Sequence, residues 1–86
     1  MKISKKTVAN KLVAYLRHEQ PLGDLVNWAE NAIQEGDFDQ KHVKTIAAVV
    51  GRLGLADVRE FGLTWEDCER MLKQLGFSAR IDIVAA

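Results

Sequence analysis

Hydrophobic residues recur along this chain every three or four positions, which is the period of an amphipathic α-helix. The first such segment follows Ser4 and Thr7, and either residue can cap a helix. One stripe of this segment carries Val8, Leu12, Tyr15 and Leu16, with Ala9 and Val13 at its edge. We expect the helix to end near His18, because Pro21 disfavours a helical conformation at the preceding Gln20.

A second helix is expected to begin near Pro21, since proline suits the first helical turn, and to end at Gly36. Its apolar face carries Leu22, Leu25, Ala29, Ala32 and Ile33. Val26 and Trp28 lie at the margins of that face. Asp37 or Asp39 can cap a third helix, and Asp37 with Gln40 has the spacing of a capping box.

The third helix is predicted to have the widest apolar arc, about half of its circumference. That arc carries Val43, Ile46, Ala47, Val49, Val50 and Leu53. The β-branched residues at positions 46–50 would also suit a strand, but the length and the period of the segment favour a helix. We therefore expect this helix in the middle of the core.

Three glycines, each followed by an apolar residue, are expected to end elements in a left-handed conformation. They are Gly54, Gly62 and Gly76, and they close the third helix, a short helical turn through residues 56–61, and a fourth helix. Thr64, with an acid three residues later, predicts where the fourth helix begins. Its narrow apolar stripe carries Trp65, Cys68, Met71, Leu72 and Leu75.

After Phe77 the apolar period changes to two, because Ile81 and Ile83 alternate with Arg80 and Asp82. This alternation predicts a C-terminal β-strand that pairs with the N-terminus or with another chain; otherwise residues 79–86 form a flexible tail. The fold class is therefore mainly α. We expect one domain over residues 1–86, a compact bundle of four helices plus a short helical turn and that strand.

Composition narrows the range of functions without selecting one. With 86 residues, 48% of them hydrophobic and 28% charged, the chain should fold around one core. Its single cysteine, Cys68, cannot form an internal disulfide, which favours a cytoplasmic location. No segment approaches the roughly 18 consecutive apolar residues of a membrane span, so we expect no membrane association.

The net charge is zero, but it is the sum of opposite blocks. Five bases and no acid precede Glu19, and six acids and no base follow from Glu19 to Asp39. Oppositely charged elements attract where they pack side by side, so part of this charge is expected to be satisfied within the fold.

Neither a cofactor, a metal nor a catalytic role is expected. Glu35, Asp37 and Asp39 suggest a calcium loop, but that pattern would continue into Lys41 and helix capping explains the acids without an ion. Three acids adjoin Cys68, which opposes formation of a thiolate nucleophile. The chain is therefore interpreted as non-enzymatic.

The sequence supports two classes of binding function. The first is a protein-interaction domain, self-associating or inhibitory in the manner of an immunity or antitoxin protein, with Trp28, Trp65, Ile81 and Ile83 as candidate contacts. The alternative is a nucleic-acid-binding regulator that uses Lys5, Lys6 and Lys11 of the basic first helix. Zero net charge weakens this alternative.

Overall fold

The computed structural model describes residues 1–80 and 83–85 of the chain. This part is mainly helical, as predicted. Its elements, in chain order, are β1 (Lys2–Ile3), α1 (Lys5–Leu16), α2 (Leu22–Glu35), β2 (Asp37–Phe38), a 3-10 helix (Gln40–His42), α3 (Val43–Leu53) and α4 (Trp65–Gln74).

Two of the helices begin with the reciprocal hydrogen bonds of a capping box. At α1 the Ser4 hydroxyl accepts from the Thr7 N–H at 3.2 Å, and the Thr7 hydroxyl accepts from the Ser4 N–H at 3.1 Å. At α4 the Thr64 hydroxyl accepts from the Asp67 N–H, and the Asp67 carboxylate accepts from the Thr64 N–H. These bonds satisfy amides that have no partner inside the helix and fix where each helix begins.

The helix ends differ in part from the prediction. Gly76 has the expected positive φ of 91°, and the Phe77 N–H donates to the Leu72 carbonyl at 2.8 Å, as in a Schellman motif. Gly54, in contrast, has a φ of −63° and is not left-handed. The left-handed residue that ends α1 is His18, with a φ of 60°.

Residues 54–61 form successive hydrogen-bonded turns where a short helical turn was expected. The N–H of Val58 donates to the Leu55 carbonyl, and the N–H of Phe61 donates to the Val58 carbonyl. Gly62, with a φ of 61°, then ends the run as predicted. The segment leads the chain from α3 to the start of α4.

The helices share one apolar core. Helix α1 contacts α2, α3 and α4, and the α2–α3 pair has the most extensive contact of any two elements. The principal core cluster consists of Ile3, Val8, Ala9, Leu12, Leu25, Ala29, Ala32, Ile46, Val49, Val50, Leu53, Cys68, Met71, Leu72 and Leu75. The apolar stripes predicted for α1, α3 and α4 therefore supply most of this core.

The predicted face of α2 is shifted. Val26, placed at its margin, is buried, whereas Ile33, placed on the face, is 55% exposed. Ile33 lies beside the end of α3, since a Cβ added at Gly54 would lie 3.6 Å from the Cδ1 of Ile33.

The prediction of a C-terminal strand is wrong. The sheet has two parallel strands, and its register pairs Lys2 with Asp37 and Ile3 with Phe38. Residues 83–85 carry no strand, Ile83 is 95% exposed, and Ile81 lies outside the described residues. Alternation of apolar and polar residues shows that a segment suits a strand, but it supplies no partner for the backbone.

Gly36 makes the pairing of the two strands possible. A Cβ at this position would overlap the carbonyl oxygen of Ala32 and the Cδ1 of Ile3. Its φ of −75° is accessible to any residue, so it is the close approach of β1 to the end of α2 that requires glycine. Ile3 is thereby held in the core.

Val50→Asp should unfold the protein. Val50 is fully buried on α3, and an unpaired carboxylate there should cost about 3 kcal/mol or more. Ala48→Asp, at an exposed position of the same helix, is the matched control and should melt close to the wild type. Thermal unfolding followed by circular dichroism checks both, and a Val50→Asp variant as stable as Ala48→Asp would contradict the assigned core.

His18→Gly should stabilise the protein by about 0.5–1 kcal/mol, because glycine adopts a positive φ without the steric cost that histidine bears. Gly76→Ala should destabilise it by about 1 kcal/mol for the converse reason. A Cβ at Gly76 meets nothing closer than the Lys5 Nζ at 3.5 Å, so crowding does not complicate that result. Urea denaturation measures both changes, and the same sign for the two variants would contradict this account of the helix ends.

Candidate functional site

Helices α1 and α4 run antiparallel, and the chain folds back beside them after α4. Trp65, at the start of α4, shares a cleft with Leu16 and His18 at the end of α1. Gly76, after the end of α4, lies next to Lys5 at the start of α1. Residues 77–80 then continue beside both helices and form a third wall.

These three walls enclose an open groove of about 440 Å³. Most of its lining is apolar, and the apolar side chains come from all three walls. The lining residues are Lys6, Ala9, Asn10, Val13, Leu16, Arg17, Trp65, Leu72, Phe77, Ser78, Ala79 and Arg80. Phe77 is 39% exposed and Trp65 is half-buried, so aromatic surface is available to a ligand.

The charges that line this α1–α4 groove have one sign. Lys6, Arg17 and Arg80 are basic, and the lining formed by described residues contains no acid. Glu69 lies one turn from both Trp65 and Leu72 on α4 but does not line the groove. The groove therefore combines an apolar floor with a positive rim.

A second concavity, of about 470 Å³, lies against the two-stranded sheet and has a different character. Its charged residues have both signs, Lys2 and Lys41 against Asp37 and Asp39. Ile3, one of its two apolar residues, is 1% exposed and offers a ligand almost no surface. The α1–α4 groove is thus the better candidate for a binding site.

The structure separates the two tryptophans that the sequence suggested as contacts. Trp65 lines the α1–α4 groove, whereas Trp28 packs against the core elsewhere. The Nζ of Lys11 lies over the Trp28 ring, 5.6 Å from its centroid, in a cation–π contact. Ile83 does not line the groove, and Ile81 lies outside the described residues.

The three lysines suggested for nucleic-acid binding also have different surroundings. Lys5 reaches Gly76, Lys6 lines the α1–α4 groove, and Lys11 covers Trp28. Successive positions along α1 point about 100° apart, so Lys11 leaves the helix on a different side from Lys6. The structure does not gather them into one basic face.

Sequence reasoning missed Arg17 and Asn10 as members of the site. Lys6, Asn10, Val13 and Arg17 have the spacing i, i+4, i+7, i+11, which places them in one row along α1. That row lies beside the buried stripe and mixes one apolar residue with polar ones. It could have been found as a second stripe, but its partners Phe77 and Arg80 are far away in the sequence.

A polar cluster ties the start of α4 to α3. The Asp67 carboxylate accepts from Arg70 at 2.6 Å and from Arg52 at 3.4 Å. The Arg52 guanidinium also lies 5.4 Å from the centroid of the Phe61 ring. Both ion pairs involve Asp67 of α4, and neither of them joins basic α1 to acidic α2 as the charge blocks suggested.

The cluster shifts the pKa values of two neighbouring groups. The hydrogen bond from the backbone of Thr64 is the main cause that lowers the pKa of Asp67, and Arg70 and Arg52 act in the same direction. Burial, and then the charge of Asp67, raise the pKa of the Cys68 thiol to about 11. Cys68 is therefore a protonated core residue at neutral pH.

Acids near the sheet act as local structural groups. The Asp39 carboxylate accepts from the Lys41 N–H at 3.1 Å and caps the 3-10 helix, while Asp37 lies in β2. Asp37 and Gln40 therefore do not form the predicted capping box. Across residues 1–80 and 83–85, no three His, Cys, Asp or Glu side chains come together in an arrangement that could hold a metal ion.

Asp67→Asn should lower the stability of the protein at pH 7, and the difference from the wild type should shrink in acid. The pKa of Asp67 is lower in the folded state than its unfolded value of about 3.9. Its ionised form therefore stabilises the fold above about pH 4, and this contribution is lost as the pH falls through the folded pKa. Urea denaturation at pH 7 and at pH 3 measures the free energy of unfolding of both proteins. An equal loss of stability in Asp67→Asn at the two pH values would contradict this role of the ionised carboxylate.

Cys68 should react slowly with a thiol reagent while the protein is folded. The thiol is buried and its pKa is about 11, so little thiolate is present and little of it is accessible at pH 7.5. Ellman's reagent should label it rapidly in urea and slowly in buffer. Equally rapid labelling in urea and in buffer would show that the Cys68 thiol is not buried and that its pKa is not raised.

No protein-family model, curated protein or solved structure that was compared with the chain matches it. No helix in the described residues is both long enough and apolar enough to cross a membrane.

Proposed function

We propose that this chain is a non-enzymatic, cytoplasmic protein-interaction domain that binds an apolar segment of a partner protein in the α1–α4 groove. The observation that carries the proposal is the apolar floor of the groove, which leaves Trp65 and Phe77 partly exposed beside Val13 and Leu72. Exposed aromatic side chains next to aliphatic ones are typical anchors of protein interfaces.

The chemistry of the lining supports binding over catalysis. Its polar side chains are Lys6, Asn10, Arg17, Ser78 and Arg80. Ser78 would need a base to act as a nucleophile, and the described lining offers no histidine or carboxylate. The free, buried Cys68 agrees with a reducing compartment.

A second candidate function is binding of single-stranded nucleic acid in the same groove. It is favoured by cations that lie beside two aromatic rings, because bases stack on aromatic side chains while phosphates pair with cations. It ranks second because Val13 and Leu16 make the rest of the floor aliphatic. Aliphatic surface suits a protein side chain better than a nucleobase.

The proposal is tested with Asn10→Trp, which adds a large side chain to the groove at an exposed position. Asn31→Trp, at an exposed position of α2, is the matched control. Peptides selected from a random display library on the wild type should bind Asn31→Trp unchanged. They should bind Asn10→Trp at least about tenfold more weakly, because the groove is filled.

Thermal melts close to that of the wild type establish that both variants are folded. Selection that enriches no peptide, or peptides that bind Asn10→Trp as well as they bind the wild type, would show that the groove is not a peptide-binding site.

A further inference from the structure

Resting on the proposed function, we infer that the segment bound in the α1–α4 groove is an acidic amphipathic helix of about three turns. Three features of the groove lead to this class of ligand: its length, the sign of its charge and the kind of wall that encloses it.

The length follows from the row of residues on α1. Lys6 and Arg17 both line the groove and are separated by 11 residues. At 1.5 Å per residue, the helix carries them about 16 Å apart along its axis. A helical ligand of three turns has the same length, so acids near its two ends would meet the two cations.

The sign of the charge follows from the lining. Lys6 and Arg17 both line the groove, and neither forms an ion pair with an acid in residues 1–80 or 83–85. An acidic ligand gains Coulomb energy along the whole groove, whereas a basic ligand would be repelled. Glu69 of α4 lies outside the lining.

The helical form follows from the walls. Two of the three walls are helices, whose backbone groups bond within the helix and present only side chains to a ligand. An extended peptide would find backbone partners only along residues 77–80. A helix brings its own hydrogen bonds and needs only an apolar face, which the floor accommodates.

Three display libraries of equal size test the inference on the wild-type protein. Each presents peptides of about 15 residues with randomised apolar positions. The first has helical spacing with Glu at the polar positions, the second has the same spacing with Lys, and the third has alternating spacing with Glu. The peptides that count are those that bind the wild type but not the Asn10→Trp variant. We expect the first library to yield at least about tenfold more of them than either of the other two.

Charge reversal gives a second readout. Arg17→Glu should weaken binding of a peptide from the first library about fivefold and strengthen binding of its Glu-to-Lys counterpart. Arg59→Glu, at an exposed position in the turns after α3, is the matched control and should change neither affinity. An Arg17→Glu variant that binds the acidic peptide as well as the wild type does would contradict the inference.

The outcomes separate this inference from the proposed function. If peptides from the second or third library bind the groove as well as those from the first, the inference is wrong and the proposed function stands. If no library yields binding that Asn10→Trp removes, both fail.

Two other occupants are measured alongside. The first is a single-stranded oligothymidine, whose binding is followed by quenching of tryptophan fluorescence. Both proposals would be overturned if it quenches the wild type but not Asn10→Trp and no peptide binds the groove. A wild-type dimer that Asn10→Trp converts to a monomer in sedimentation would place a second copy in the groove and overturn the inference.

Discussion

The burial of one side of α1 is the constraint on which the rest of the structure depends. Val8 and Leu12 are completely buried, and α1 is in contact with each of the other α-helices. The two strands pair at the N-terminal side of this helix, with Ile3 in the same core. If α1 were displaced, α4 would lose the helix that it packs against most, and the groove would lose a wall.

Helix α1 therefore has two adjoining faces with different tasks. One face, centred on Leu12, is held in the core by dispersion and the hydrophobic effect. The other is the row from Lys6 to Arg17, which stays open because residues 77–80 fold back at a distance from the helix and enclose a groove. The Schellman motif at Gly76 determines where that return begins.

Local signals predicted most of the fold. Ser4, Thr64 and Gly76 mark helix boundaries through bonds to near neighbours, and such bonds can be inferred from spacing alone. Contacts between distant segments could not be inferred in this way. The pairing of the N-terminal strand with residues 37–38 depends on close approach at Gly36, and the groove depends on Arg17 and Phe77 meeting across 60 residues of chain.

The two tryptophans offer a direct measurement of the central claim, that the α1–α4 groove is the binding surface. Their indole N–H groups give separate signals in a ¹⁵N–¹H correlation spectrum, and only Trp65 lines the groove. Titration with an acidic amphipathic peptide should shift the Trp65 signal and leave that of Trp28, beneath Lys11, unchanged. A shift of the Trp28 signal alone would contradict the account.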